Sequence, residues 1–338
     1  MTSRERVHAT LRKERRDHLA CMPITMMFAA DCLGVKYRQY AADYRTLVDA
    51  QLKTAEQYGF DHVSAISDPA REASDCGAKV QWFEDQPPAI LEDNALLVDK
   101  ATLAHLRPPD PGEGKRMQDR ILGVESLRRS AGSDKFVEGW VEGPCAEGAD
   151  LRGINRLMID FSDDPPFVED LFEFVTALAI QFARAQIEVG ADIIGIGDAA
   201  ASLVGPRIYQ RFVLPYEKRL VEAIHANGGR IRLHICGNTR RILASAAELQ
   251  CDFADVDYPV SMAEARQLMG LDQVIAGNLN PIRDVREGTP KSIFEQLKNC
   301  HEQAGSNYIV AAGCEIARGT PPANVLAMSA FAQNTGQN

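Results

Sequence analysis

Eight short β-rich apolar runs alternate with longer stretches of helical periodicity along this chain, and few folds accommodate such an order. The runs are Ile24 to Ala30, His62 to Ser67, Phe136 to Glu142, Asp192 to Gly197, Arg230 to Ile235, Phe253 to Tyr258, Val274 to Leu279 and Tyr308 to Ala312. Between them lie amphipathic segments such as Pro166 to Val189, Pro206 to Asn227 with Gly228-Gly229 as its stop, and Arg240 to Leu249. Strands separated by helices imply βα units around a parallel sheet, and eight of them close a barrel. The expectation is therefore an α/β fold, a (β/α)8 TIM barrel, with residues 1–338 as one domain, a length such a barrel with insertions reaches. The alternation breaks at Lys79 to Asp99, where Asp85-Gln86-Pro87-Pro88 separates two apolar segments and predicts an inserted hairpin. Arg107 to Gly114, with prolines at 108, 109 and 111, predicts a surface loop.

A net charge of -10 with no Lys/Arg stripe interleaved with aromatics argues against nucleic acid as a partner. Met1 to Arg16 is too charged for a signal peptide and no run of about 18 apolar residues occurs, so neither a membrane partner nor export is expected. The expected location is cytoplasmic. In that compartment eight dispersed cysteines point to metal binding or burial before disulfides.

Barrel enzymes carry their chemistry where strands run out into βα loops. Here those ends are polar: Asp68 and Glu72, Glu142, Asp198, His234 and Cys236, Asp257, Asn278 and Asn280, then Cys314 with Glu315. His234 and Cys236, two residues apart on an extended chain, point to the same side and can reach one ion. Cys314 ends a strand three units later, and barrel closure brings that end to the same rim. Two thiolates and one imidazole suit Zn2+, and three protein ligands leave the open position of a catalytic centre. Singly, each is a weak signal, because a lone buried cysteine is commonly a small hydrophobe. Their joint placement at two strand ends, each beside a glycine, is the stronger one.

The segments Val141-Glu142-Gly143-Pro144, His234-Ile235-Cys236-Gly237-Asn238-Thr239, Asp255-Val256-Asp257-Tyr258, Gly277-Asn278-Leu279-Asn280-Pro281 and Ala312-Gly313-Cys314-Glu315-Ile316 resemble the uroporphyrinogen decarboxylase superfamily, and within it the corrinoid-dependent methyltransferase branch. The likeness runs from about Pro23 to the C-terminus. It implies that His234, Cys236 and Cys314 bind zinc, and that a corrinoid (cobamide), free or carried on a corrinoid-binding protein, docks over the barrel mouth. The direction of transfer stays open. A methoxylated or methylated small molecule gives its methyl to Co(I), as in O-demethylation, or a thiol or pterin takes it from methylcobamide. Glu142, followed by Gly143-Pro144-Cys145-Ala146-Glu147, looks more like the demethylating relatives, where a carboxylate near zinc completes its coordination or supplies a proton. Porphyrinogen decarboxylation is the third alternative. Against it, the decarboxylases resemble one another in an N-terminal Arg-Gln-Ala-Gly-Arg stretch, where this chain has Ile24-Thr25-Met26-Met27-Phe28-Ala29-Ala30-Asp31.

The remaining strand-end residues have two readings each. Asp198 and Asp257 orient substrate or support the metal ligands, or else cap helices. Asn278 and Asn280 bind an uncharged substrate or the corrinoid edge, or else serve turns.

Overall fold

In the computed structural model, which describes residues 1–336, seven parallel strands form one curled sheet in sequence order. They are β1 (His62–Ser64), β2 (Phe136–Glu142), β3 (Ile193–Gly197), β4 (Ile231–His234), β5 (Phe253–Val256), β6 (Val274–Leu279) and β7 (Tyr308–Ala312). Each corresponds to a run predicted above, with ends moved by a residue or a few.

The first run departs from expectation. Only Cys21 makes a sheet contact, a parallel bridge to Val310. Met22 N donates to Val310 O at 2.9 Å, Val310 N to Ala20 O at 2.8 Å, and Asp61 N to Cys21 O at 3.0 Å, so residues 20–22 fill the eighth position between β7 and β1. Ile24 to Ala30 is not a strand, because the chain turns into a helix at Met27. The Glu315 carboxylate accepts from Met26 N and Met27 N at 3.0 and 2.5 Å, satisfying amides that a helix start leaves free. A short apolar run bounded by turns reads alike as buried strand or buried helix, which is why its periodicity misleads.

Five helices bear on the site. They are α1 (Ser3–Leu11), α2 (Met27–Leu33), α3 (Pro144–Arg152), α4 (Pro165–Glu188) and α5 (Leu214–Ala226), the last entered through a π-turn at Tyr209–Val213. Arg240 to Leu249 is helical only over Leu243–Ala246 and a following 3-10 turn. Inside Lys79 to Asp99, Val80–Gln81 pairs antiparallel with Ala89–Ile90. Among the described residues, no helix is long and apolar enough to cross a membrane.

Strand alternation sorts the barrel interior into layers. At the bottom, Val7 of α1 packs with Phe136, Ile193, Phe253, Val274 and Ile309. Two residues further along the strands lies a charged layer. Arg232 meets Asp255 at 2.8 Å and Glu138 at 3.2 Å, with His62 beside Glu138 at 3.8 Å. Above it, Ile24, Ile66 and Trp140 line the open end.

A candidate metal centre at the mouth of the barrel

The β4–β5 register pairs Arg232 with Phe253 and Leu233 with Ala254, and the same offset sets His234 beside Asp255. His234 Nδ1 lies 2.8 Å from Asp255 Oδ2, which holds a proton on Nδ1 and turns Nε2 toward the cavity. Arg232 in turn grips both Asp255 oxygens, at 2.8 and 3.1 Å, so the carboxylate that orients the imidazole is itself immobilised.

Cys236 follows on the same face and Cys314 comes over from the end of β7. One donor atom from each of His234, Cys236 and Cys314 lies within 4.8 Å of the others, and Cys314 Sγ is 3.7 Å from His234 Nε2. A tetrahedral zinc with ordinary Zn–S and Zn–N bonds sets its donors about 3.5–3.8 Å apart, so the group has the spacing as well as the chemistry for that ion. The ionisation fits too. Hydrogen bonds from Cys314 and His234 draw the Cys236 thiol down to about 4, while that shared bond, with burial, pushes Cys314 up. Burial opposes a charge on His234, yet its bonds to Asp255 and Cys236 raise it to about 9, so without an ion the ring keeps a proton beside the Cys236 thiolate, one that a metal would displace. The trio thus stabilises thiolate character, the form that ligates metals.

Gly237, at φ +91°, turns the chain directly after Cys236. Asp257 Oδ2 accepts from Gly237 N at 2.6 Å and Oδ1 from Tyr258 N at 2.7 Å. It fastens the loop carrying Cys236, and burial pushes its carboxyl up.

The donors open onto a cavity of about 200 Å3 that also contains Glu142, Arg71 and Trp140. The Trp140 ring stands 6.2 Å from that of His234. Gly195 makes room for it, because a Cβ there would fall 2.1 Å from the indole. Glu142 Oε1 accepts from Arg71 Nη2 at 3.1 Å. Burial, Glu72 and Asp150 hold its carboxyl well above the usual range, against the pull of Arg71. Behind it Asp150 is pushed up to about 8, chiefly by burial, and Glu147 upward also, so protons are retained around Glu142 at neutral pH.

Besides Asp257, which fastens the Cys236 loop, three sequence-predicted residues do not line the cavity. Asp198 is fully buried and caps α3, accepting from Cys145 N and Ala146 N at 3.2 and 2.7 Å. The residue at the helix entry, Gly143, has no side chain to do this, and a Cβ there would lie 2.5 Å from Asp198. Asn278 donates to Val260 O and accepts from Cys300 Sγ, on a helix packed outside the sheet. Asn280 caps the turn at Pro281, accepting from Ile282 N and Arg283 N at 2.9 Å each. Of the two readings each of these residues carries, the bonds seen here are those of the local one. Conversely Asp255, Arg71 and Trp140 were not singled out. Asp255 had a signal, since it shares an interior face with Asp257 opposite His234; Arg71 had none.

The profile described as "Uroporphyrinogen decarboxylase (URO-D)" matches residues 2–335. Over 340 residues the chain is 28% identical to the "Methylcobamide:CoM methyltransferase MtbA" of Methanosarcina mazei, covering 98% of each. It is 25% identical over 274 residues to a uroporphyrinogen decarboxylase of Nocardia farcinica, covering 80% of this chain and 75% of the other. A solved methyltransferase from Methanosarcina mazei superposes with a TM-score of 0.87 at 21% identity, covering 99% of both chains.

Proposed function

The chain belongs to the uroporphyrinogen decarboxylase family, and from that premise we propose that it is a zinc-dependent, corrinoid-linked methyltransferase. The observation that carries the reading is the convergence of His234 Nε2 and two cysteine sulfurs on one point, with the other imidazole nitrogen locked by Asp255. The likeness to MtbA along 98% of both chains supports methyl transfer over decarboxylation.

The favoured direction runs from a methylated small molecule to Co(I) of a corrinoid, supplied by a partner protein or free. Zinc, when bound, supplies Lewis-acid polarisation of the donor's heteroatom. The C–O bond of a methyl ether breaks, the electron pair of Co(I) becomes the new Co–C bond, and the departing oxygen keeps the C–O pair and takes one proton. Glu142 is the residue to hold that proton, since its carboxyl lies in the cavity and is buried among other carboxyls that resist ionisation. Trp140 and the apolar wall exclude water from the reacting groups. The MtbA likeness also favours a second reading, in which a thiol takes the methyl from methylcobamide.

Two measurements test this. Elemental analysis should find about one zinc per chain, and His234→Ala or Cys314→Ala should remove most of it while unfolding stays cooperative. Stoichiometric zinc in both variants would mean the ligands lie elsewhere. Mixing the protein with a Co(I) corrinoid and methyl ethers should give the methylcobalt spectrum. No such signal with any ether, together with demethylation of methylcobalamin by a thiol, would reverse the direction.

A further inference from the structure

The charge and size of the cavity select among methyl donors and acceptors, and we infer that the site takes an electrically neutral substrate of single-ring size and rejects one with an anionic tail. This rests on the methyl-transfer reading for the identity of the site, while the selectivity itself is a matter of binding.

A bound sulfonate or carboxylate needs a cation whose charge is not already matched, because an ion taken out of water without a partner costs several kcal/mol. Among the described residues lining the cavity, Arg71 is the only lysine or arginine. It is fully buried, 3.1 Å from Glu142 and 3.4 Å from Glu72, so with the proton kept on Glu142 the Glu72 carboxylate remains to match its charge. Apart from the donor trio, the other ionisable groups on the wall are acids. Asp68 is matched by Arg116 at 2.7 Å, and Glu315 receives the amides of α2. Beyond the donor trio, where two thiolates would offset the charge of a zinc ion, an anionic tail would therefore meet carboxyls and no unmatched arginine or lysine.

The rest of the wall is apolar: Ile24, Met26, Ile66, Pro69, Pro87 and the face of Trp140. A dry apolar cavity of about 150 Å3 admits benzene, so a space of this kind with 200 Å3 holds one ring with a short substituent. A methoxybenzene meets each requirement: no charge, one flat ring to lie against Trp140, and an ether oxygen to turn toward the donor trio.

Calorimetry on the zinc-loaded protein with 4-methylanisole and 4-methoxybenzenesulfonate tests this without any turnover. The neutral ether should bind at least tenfold more tightly. In a Glu72→Gln/Glu142→Gln double variant, which removes the two carboxyls in direct contact with Arg71, sulfonate affinity should rise about tenfold or more, as expected for a buried charge stripped of its nearest partners. Equal or tighter sulfonate binding by the unsubstituted protein would overturn the inference whether or not the double variant folds, as would failure of both compounds to bind. Selective binding of the ether with no methylation of cobalt would uphold the selectivity and count against the proposed reaction alone.

Discussion

Asp255 shows how much of the candidate centre depends on a residue that touches no substrate. It holds His234 at 2.8 Å and is held by Arg232, so the imidazole presents Nε2 before any ion arrives. Asp255→Ala should weaken zinc binding about 10–100-fold, as loss of an outer carboxylate on a ligating histidine does, and Asp255→Asn should lose less because its oxygen still accepts from Nδ1. Competition with a chromophoric chelator measures both, and unchanged affinity in the alanine variant would remove Asp255 from the centre. At this scale the sequence was readable where chemistry is tied to residue type. His234, Cys236 and Cys314 are soft donors at strand ends, and they do converge. It was unreadable where an acid or amide serves equally well in a site, a cap or a turn. Asp198, Asn278 and Asn280 could be told from substrate contacts only once their partners were visible. Asp257, on the same face as Asp255, fastens the Cys236 loop and leaves the histidine to its neighbour.

Elements are coupled by another buried pair. Asp198, just past the end of β3, neighbours Glu217 of α5 while capping α3, and Tyr209 OH donates to Glu217 Oε2 at 2.5 Å. Burial pushes the Glu217 carboxyl up to about 7 and Asp198 also upward, so protons are retained on these neighbouring carboxyls at moderately acid pH. A folded-state value above the unfolded 4.5 stabilises the fold while the group is protonated. That contribution is complete below about pH 4.5 and is lost as pH rises through about 7; a difference of this size amounts to roughly 3 kcal/mol. Glu217→Gln, which is uncharged at every pH, should flatten the decline in unfolding free energy between pH 5 and 8, measured with urea at fixed ionic strength. A decline as steep as that of the parent protein would place the titrating group elsewhere. Most elements were legible because strands β1 to β7 are β-rich and each is followed by helical periodicity. The first was not. Its apolar run is as compatible with α2 as with a strand, and the choice is made by Glu315, nearly 290 residues away.

Across the whole molecule, closure of the barrel falls to a short segment and one carboxylate. Residues 20–22 supply the backbone bonds between β7 and β1, too few to hold a sheet edge on their own. Asp61 completes the seam. Its backbone joins Cys21 on one side and Phe136 on the other, while its side chain accepts from Cys21 N at 2.8 Å and pairs with Arg6 of α1 at 2.5 Å. One buried residue thus links the first strand, the closing segment and the helix that plugs the barrel bottom. Removing one partner of a buried, hydrogen-bonded pair is strongly destabilising, although Arg6 keeps its contact with Asp17. Asp61→Ala should therefore cost about 2–4 kcal/mol, and Asp61→Asn less, since it retains an acceptor for Cys21 N. The loss should appear as a lower urea midpoint in a single transition that coincides by circular dichroism and fluorescence, because a barrel unzipped at this seam exposes its interior from end to end. Two separated transitions would mean that α1 and residues 20–22 detach from a sheet able to stand without them.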